Sequence, residues 1–159
     1  MVLGDRFPEA ERLASVRRQL TPWRVIRLFC HFTSPPKEKL LAIAHVAAEV
    51  HVFVISSSIP SFIRSRPDML QCQVELKKET HGFLRLDSFL DCAQVYSVPT
   101  QEIESHLVAD MRRIRGEVGP GARLAVIEAI RKSRFLARGL KANLLSSLES
   151  GMGRKNGRA

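Results

Sequence analysis

The chain has 159 residues, the length of one compact domain, and its 45% hydrophobic and 26% charged residues exclude a fibrous repeat and an intrinsically disordered chain. Lys plus Arg outnumber Asp plus Glu by 25 to 16, a formal charge of +9 that favours polyanionic partners. The longest apolar runs, 40–48 and 50–55, are split by His45, Glu49 and His51 and fall short of the roughly 20 apolar residues a spanning helix needs, so no membrane span is expected.

The first twelve residues carry Asp5, Glu9 and Glu11 and no apolar run, which argues against a secretory signal and predicts a cytoplasmic protein. Pro8 suits the first position of a helix, and Ala10, Leu13, Val16, Arg17 and Leu20 form a helical stripe that stops before Thr21-Pro22. Residues 1–22 are therefore read as an N-terminal helical arm. From Trp23 to Phe32 both alternating faces are largely apolar, which predicts a strand buried on two sides. Residues 33–39, with Pro35, Pro36, Lys37 and Lys39, read as a proline-bounded loop. Residues 40–46 and 50–55 then form two strands of a hairpin with a tight connection at Glu49, ended by Ser56-Ser57-Ser58-Ile59-Pro60.

Alternation over 71–77 and again over 83–87 predicts two half-exposed antiparallel strands around a turn near Thr80-His81-Gly82, and residues 92–98 close the β region. After Pro99 the period becomes helical. Thr100 is placed as an N-cap, and Ile103, Leu107, Val108, Met111 and Ile114 form one stripe with Arg112, Arg113 and Arg115 near its C-terminal end. Gly119-Pro120-Gly121 breaks the chain before a helix whose apolar face is Leu124, Ile127 and Ile130. Leu140, Leu144, Leu145 and Leu148 mark a last helix ending at Gly151. Residues 151–159 hold three basic and no acidic side chains among glycines and predict a disordered basic tail. Strands followed by helices make an α+β domain over 23–150, a small antiparallel β-barrel with the C-terminal helices packed on one side.

Cys30, Cys72 and Cys92 are odd in number and lie in apolar or alternating stretches, so buried free thiols are expected rather than disulfides. Neither Cys-x-x-Cys nor His-x-x-x-His spacing occurs, and no metal is expected. The serines lack elbow glycines, and His45 and His51 alternate with apolar neighbours as core or sheet-edge residues do. Two stretches exceed what folding requires. One is 35–39, a rigid loop with two ammonium groups suited to a phosphate backbone; the other is 87–94, where Asp87, Ser88, Asp91 and Gln94 crowd the end of a strand.

The order of these landmarks resembles the PemK/MazF-like family of toxin endoribonucleases from type II toxin–antitoxin systems. The likeness runs over roughly residues 23–136: a first strand, a basic proline loop, the apolar strand through Ala42-Ile43-Ala44, the strand end Val54-Ile55-Ser56-Ser57-Ser58, then Asp87-Ser88-Phe89-Leu90-Asp91-Cys92-Ala93-Gln94-Val95 leading into helices. The resemblance implies an SH3-like barrel that forms a homodimer and cuts single-stranded RNA without metal or other cofactor, the ribose 2′-hydroxyl attacking the adjacent phosphate. It also implies a cognate antitoxin protein that inserts an acidic segment into the RNA groove.

The family's loop arginine is matched here only by Lys37 and Lys39, and its hydroxyl residue by Ser56 or Ser57. Asp91 stands where the family often has a basic residue and Ala93 where it has an acid, so Asp87, with Asp91, is placed as the replacement acid. Arg85, Ser88 and Gln94 are placed as RNA contacts. The second reading is a non-catalytic SH3-like barrel that binds nucleic acid or a protein. A third puts the binding surface on a basic helical face of Arg112, Arg113, Arg115, Arg131, Lys132, Arg134 and Arg138.

Overall fold

In the computed structural model, which describes residues 8–152, the chain is α+β, with a curled, half-barrel antiparallel sheet and the C-terminal helices packed on one side. The strands are β1 (Arg24–Cys30), β2 (Lys37–Val46), β3 (Glu49–Ser56), β4 (Gln73–Leu76), β5 (Ser88–Asp91), β6 (Tyr96–Pro99) and β7 (Ile114–Glu117). Their order is β4-β5-β3-β2-β1-β7, and β6 pairs the N-terminal half of β3 while β5 pairs its C-terminal end. The helices are α1 (Glu9–Gln19), α2 (Ser61–Arg64), α3 (Pro67–Leu70), α4 (Thr100–Ala109), α5 (Pro120–Lys132) and α6 (Arg138–Met152).

The start of β1 and the middle of β2 are buried on both faces by helices on each side. From Arg27 on β1 alternates, with Arg27 and Phe29 exposed, so the strand expected to be buried on two sides over 23–32 is so only at its start. Val25, Ala42, Ala44, Phe53 and Ile55 point to one core, closed by Val126, Ile127 and Ile130 of α5 and Leu144 and Leu148 of α6. Ile26, Leu28, Cys30, Leu41, Ile43, Val50 and Val52 point to the other, closed by Val16 and Leu20 at α1 and Ile103 and Leu107 of α4. The alternation along each strand sends successive side chains to opposite cores, which is why the sequence shows no polar face there.

Trp23 ties the first core together. Its backbone adopts a left-handed φ of 76°, unfavourable for a bulky residue, and is held there by Trp23 N–H donating to the Ile43 carbonyl at 2.8 Å and its own carbonyl accepting from Val118 at 2.9 Å. The indole Nε1 donates to the Leu148 carbonyl at 3.0 Å, and the buried Arg123 guanidinium lies 5.4 Å over the ring. Arg123 is itself satisfied by the Val118 carbonyl at 2.8 Å and Glu117 at 3.2 Å.

Several sequence expectations move. Pro8 occupies the N-cap of α1, with Glu9 as the first helical residue. Lys37 and Lys39 lie in β2, opposite Cys30 and Leu28, so the loop shortens to 31–36 with a cis Ser34–Pro35 bond. The strand expected over 71–77 spans only Gln73–Leu76, and residues 83–87 form no strand: the partner of β4 is Ser88–Asp91. There Asp87 turns its carboxylate onto the Lys78 N–H at 2.8 Å, closing a turn rather than extending a ladder. The strand expected over 92–98 begins at Tyr96 and does not close the β region, since β7 follows α4.

Pro99 holds the N-cap position of α4, and Thr100, its first residue, donates its hydroxyl to the Ala47 carbonyl at 2.6 Å. That helix stops at Ala109 because Asp110 is extended and its side chain caps a 3-10 turn at Met111–Arg113; Ile114 then pairs with Ile26 in β7. In α5 Leu124 is 63% exposed while Arg123 is buried, the reverse of an apolar-stripe reading. Gly151 and Met152 are helical, and the remainder of the expected tail, 153–159, lies outside the described residues.

Candidate functional site

The predicted site residues separate into one pair that meets and several that serve the fold locally. Strand pairing sets Leu40 opposite Ile55, which brings Lys39 of β2 beside Ser56 at the end of β3. Lys39 Nζ donates to Ser56 Oγ at 2.8 Å, and both side chains are half-buried. They lie on the face of the sheet that α1 and α4 cover further along, at its uncovered end, since Lys39 continues the row of Leu41 and Ile43. Burial, and then the charge of Lys37, push the Lys39 ammonium below the usual lysine range, with the nearby Cys30 thiol opposing them. Lys37 is exposed at the start of β2.

Cys30 is buried across from Lys37, and burial pushes its thiol up to about 11 despite the Lys39 charge. It is a packing residue, not a thiolate nucleophile. Cys72 and Cys92 are also buried and free, both raised first by burial. Across the same face Phe32 stacks on Tyr96, ring centroids 4.0 Å apart and 16° from parallel. Burial raises the Tyr96 hydroxyl above its usual range, with Asp91 and Cys30 adding to it, which keeps it neutral.

The other predicted residues do not join this pair. Ser57 is exposed beyond the end of β3, and Asp87 holds the Lys78 N–H with Lys77 Nζ at 4.0 Å. Ser88 is buried, donating to the Leu86 carbonyl at 2.9 Å, while Arg85 and Gln94 are exposed on connecting segments. Asp91 accepts from Gln73 Nε2 at 2.8 Å and from the Ala93 N–H at 2.9 Å, so its carboxylate closes a turn. His45 and His51 face each other across the β2–β3 hairpin with rings 5.8 Å apart, as sheet residues.

The basic-face reading loses its premise. Arg112 and Arg113 lie in the 3-10 turn and Arg115 in β7, away from the helices that carry Arg131, Lys132 and Arg138. Arg113 pairs with Glu38 at 3.2 Å, and Arg131 with Glu149 at 2.6 Å and Glu128 at 3.0 Å. Sequence reading missed Phe32 and Tyr96, which sit in apolar alternating stretches that read as core. Two larger open grooves, about 720 Å³ between β4 and α5 and about 860 Å³ around His81 and Gly116, contain none of the residues placed for RNA cleavage or contact, though Lys132 lines the first and Arg115 the second. No family model and no curated protein matches this chain.

Among the described residues no group of three or more His, Cys, Asp or Glu could hold a metal ion, and no helix is long and apolar enough to cross a membrane. What the Lys39–Ser56 pair can do is present a cation and an oriented hydroxyl together. The ammonium, donating to Oγ, leaves the Ser56 proton free to point outward, so an anion at this place would meet two donors in a partly desolvated setting.

Proposed function

We propose that this chain is a metal-independent endoribonuclease acting on single-stranded RNA, the toxin component of a type II toxin–antitoxin pair. The observation that carries the reading is the 2.8 Å Lys39–Ser56 hydrogen bond at the uncovered end of the sheet, on the same face as the Phe32–Tyr96 stack. A cation, a hydroxyl and stacked aromatics are the groups that single-stranded RNA binds through phosphate and base.

In the proposed reaction the ribose 2′-oxygen attacks the adjacent phosphorus and the bond to the 5′-oxygen of the next nucleotide breaks. A 2′,3′-cyclic phosphate and a 5′-hydroxyl result, the 2′-proton leaving to solvent and the leaving oxygen gaining one. Charge grows on the non-bridging oxygens as phosphorus becomes five-coordinate. Lys39 and Ser56 stabilise that charge, and Lys37 contacts the neighbouring phosphate. Lysine gives this charge without the two-pronged geometry of arginine. The net charge of +9 suits both the RNA and an acidic antitoxin segment, and the sheet edges at β4 and β7 suit a homodimer.

The second reading, a non-catalytic nucleic-acid-binding barrel, is favoured by one observation: Asp87 and Asp91 are both engaged by backbone N–H groups, which ties each to its own turn instead of to proton transfer at Lys39. Incubating the protein with a long single-stranded RNA in EDTA and mapping new 5′ ends separates the two. The proposal expects discrete cuts, reduced about 100-fold or more in both Lys39→Gln and Ser56→Ala, the scale of losing one transition-state donor. Salt-sensitive binding without cuts would favour the second reading.

A further inference from the structure

A cleft of about 180 Å³ opens next to the Lys39–Ser56 pair, between the end of β1 and the first two turns of α4. Leu28, Cys30 and Leu41 form its floor, and Leu28 is the residue that pairs with Lys39 across β1 and β2. Phe32 is one wall, and its ring crosses the face to stack on Tyr96. At this size the cleft falls below the range of about 300–1,000 Å³ typical of drug-sized ligands and suits one planar heterocycle.

Its polar groups are His31, just past β1, and a set on the opposite wall. Glu102 and His106, one turn apart on α4, and Ser97 of β6 line the rim, and Glu102 has no hydrogen bond or ion pair among the described residues. An unpaired carboxylate at the mouth of an apolar slot accepts hydrogen bonds and gives none. Phe32 at the same mouth is 36% exposed, apolar surface that a flat ligand would cover.

We infer that this cleft takes the base next to the cleaved bond, and that Glu102 selects a base bearing an exocyclic amino group over uracil. This rests on the RNA reading of the Lys39–Ser56 site. Stacking on Phe32 holds any base, whereas the carboxylate distinguishes among them. Adenine, cytosine and guanine each turn an amino donor toward it, while uracil offers only its ring N3–H, flanked by two carbonyl oxygens that a carboxylate repels.

Binding of short deoxyribo-oligonucleotides, which lack the 2′-hydroxyl and cannot be cut, tests the inference apart from catalysis. Fluorescence anisotropy with five-residue strands of dA, dC and dU is expected to show dU bound about tenfold more weakly. In Glu102→Gln, whose amide both donates and accepts, that difference is expected to vanish. Circular dichroism of the variant checks its fold, Glu102 being exposed on the first turn of α4.

Equal binding of the three strands, or discrimination unchanged in Glu102→Gln, overturns the cleft assignment. If the wild type also cuts RNA in EDTA, the endoribonuclease reading stands while the cleft assignment alone falls. Failure to bind any strand, together with failure to cut, removes both.

Discussion

Lys39 carries opposed demands. Its ammonium is half-buried for the sake of Ser56 and the proposed phosphate, and burial disfavours the charged form. Lys39→Met keeps the length of the side chain and removes the buried charge, so its melting temperature is expected to equal or exceed that of the wild type. RNA cleavage is expected to fall at least 100-fold; both are read by thermal denaturation and end mapping on the same preparation. His51 supplies a pH-dependent term of known sign. Burial, and then the charge of His45, lower its pKa, with Glu49 opposing. Above the ordinary histidine value both folded and unfolded forms are neutral there and the term is absent. Below it the unfolded chain takes up a proton that the folded one resists, so stability falls as pH drops through and below 6.5. His51→Val is expected to flatten the melting-temperature profile between about pH 7 and pH 5, the range around the ordinary histidine pKa.

Among the elements, those whose pattern is local were legible and those that depend on a distant partner were not. Helix α1 and the β2–β3 hairpin lie within a few residues of their predicted bounds because an apolar stripe and a β-branched run determine them locally. Residues 83–87 alternate as a strand does, yet Asp87 meets a backbone N–H and the ladder with β4 begins one residue later. Ile114 completes a helical stripe in sequence, but Asp110 ends the helix and β1 recruits 114–117 as its edge partner. The site shows the same division. Lys39 and Ser56 were recognisable as candidates, while their meeting depends on the register of the hairpin and the Phe32–Tyr96 stack on a contact spanning 64 positions, from 32 to 96.

Helix α6 depends on a close approach. A Cβ at Gly151 would lie 3.0 Å from Trp23 Cδ1 and 3.3 Å from Pro22 Cβ, against a side chain that Arg123 and Leu148 hold in place. Gly151→Val is expected to destabilise by about 1–3 kcal/mol, as overpacking does, and Trp23→Ala by about 3–5 kcal/mol, both measurable in urea.

At the scale of the whole molecule, a sheet packed by helices on both faces is left open toward the ends of β1, β2 and β3. Helices α5 and α6 seal one core, and α1 and α4 close the other, which runs as far as Cys30 on β1 and Leu41 on β2. The polar ends of β2 and β3 emerge beyond that edge with Lys37, Lys39 and Ser56, next to the aromatic stack and the small cleft. The central claim is that this open end cleaves RNA through the RNA's own 2′-hydroxyl. The measurement that tests it most directly is the chemistry of the fragment ends produced in EDTA. The account predicts 5′-hydroxyl termini, labelled by polynucleotide kinase without prior phosphatase, and 2′,3′-cyclic phosphates by mass spectrometry, both absent with Lys39→Gln. Fragments bearing 5′-phosphates and 3′-hydroxyls, or cutting that persists in Lys39→Gln, would contradict it.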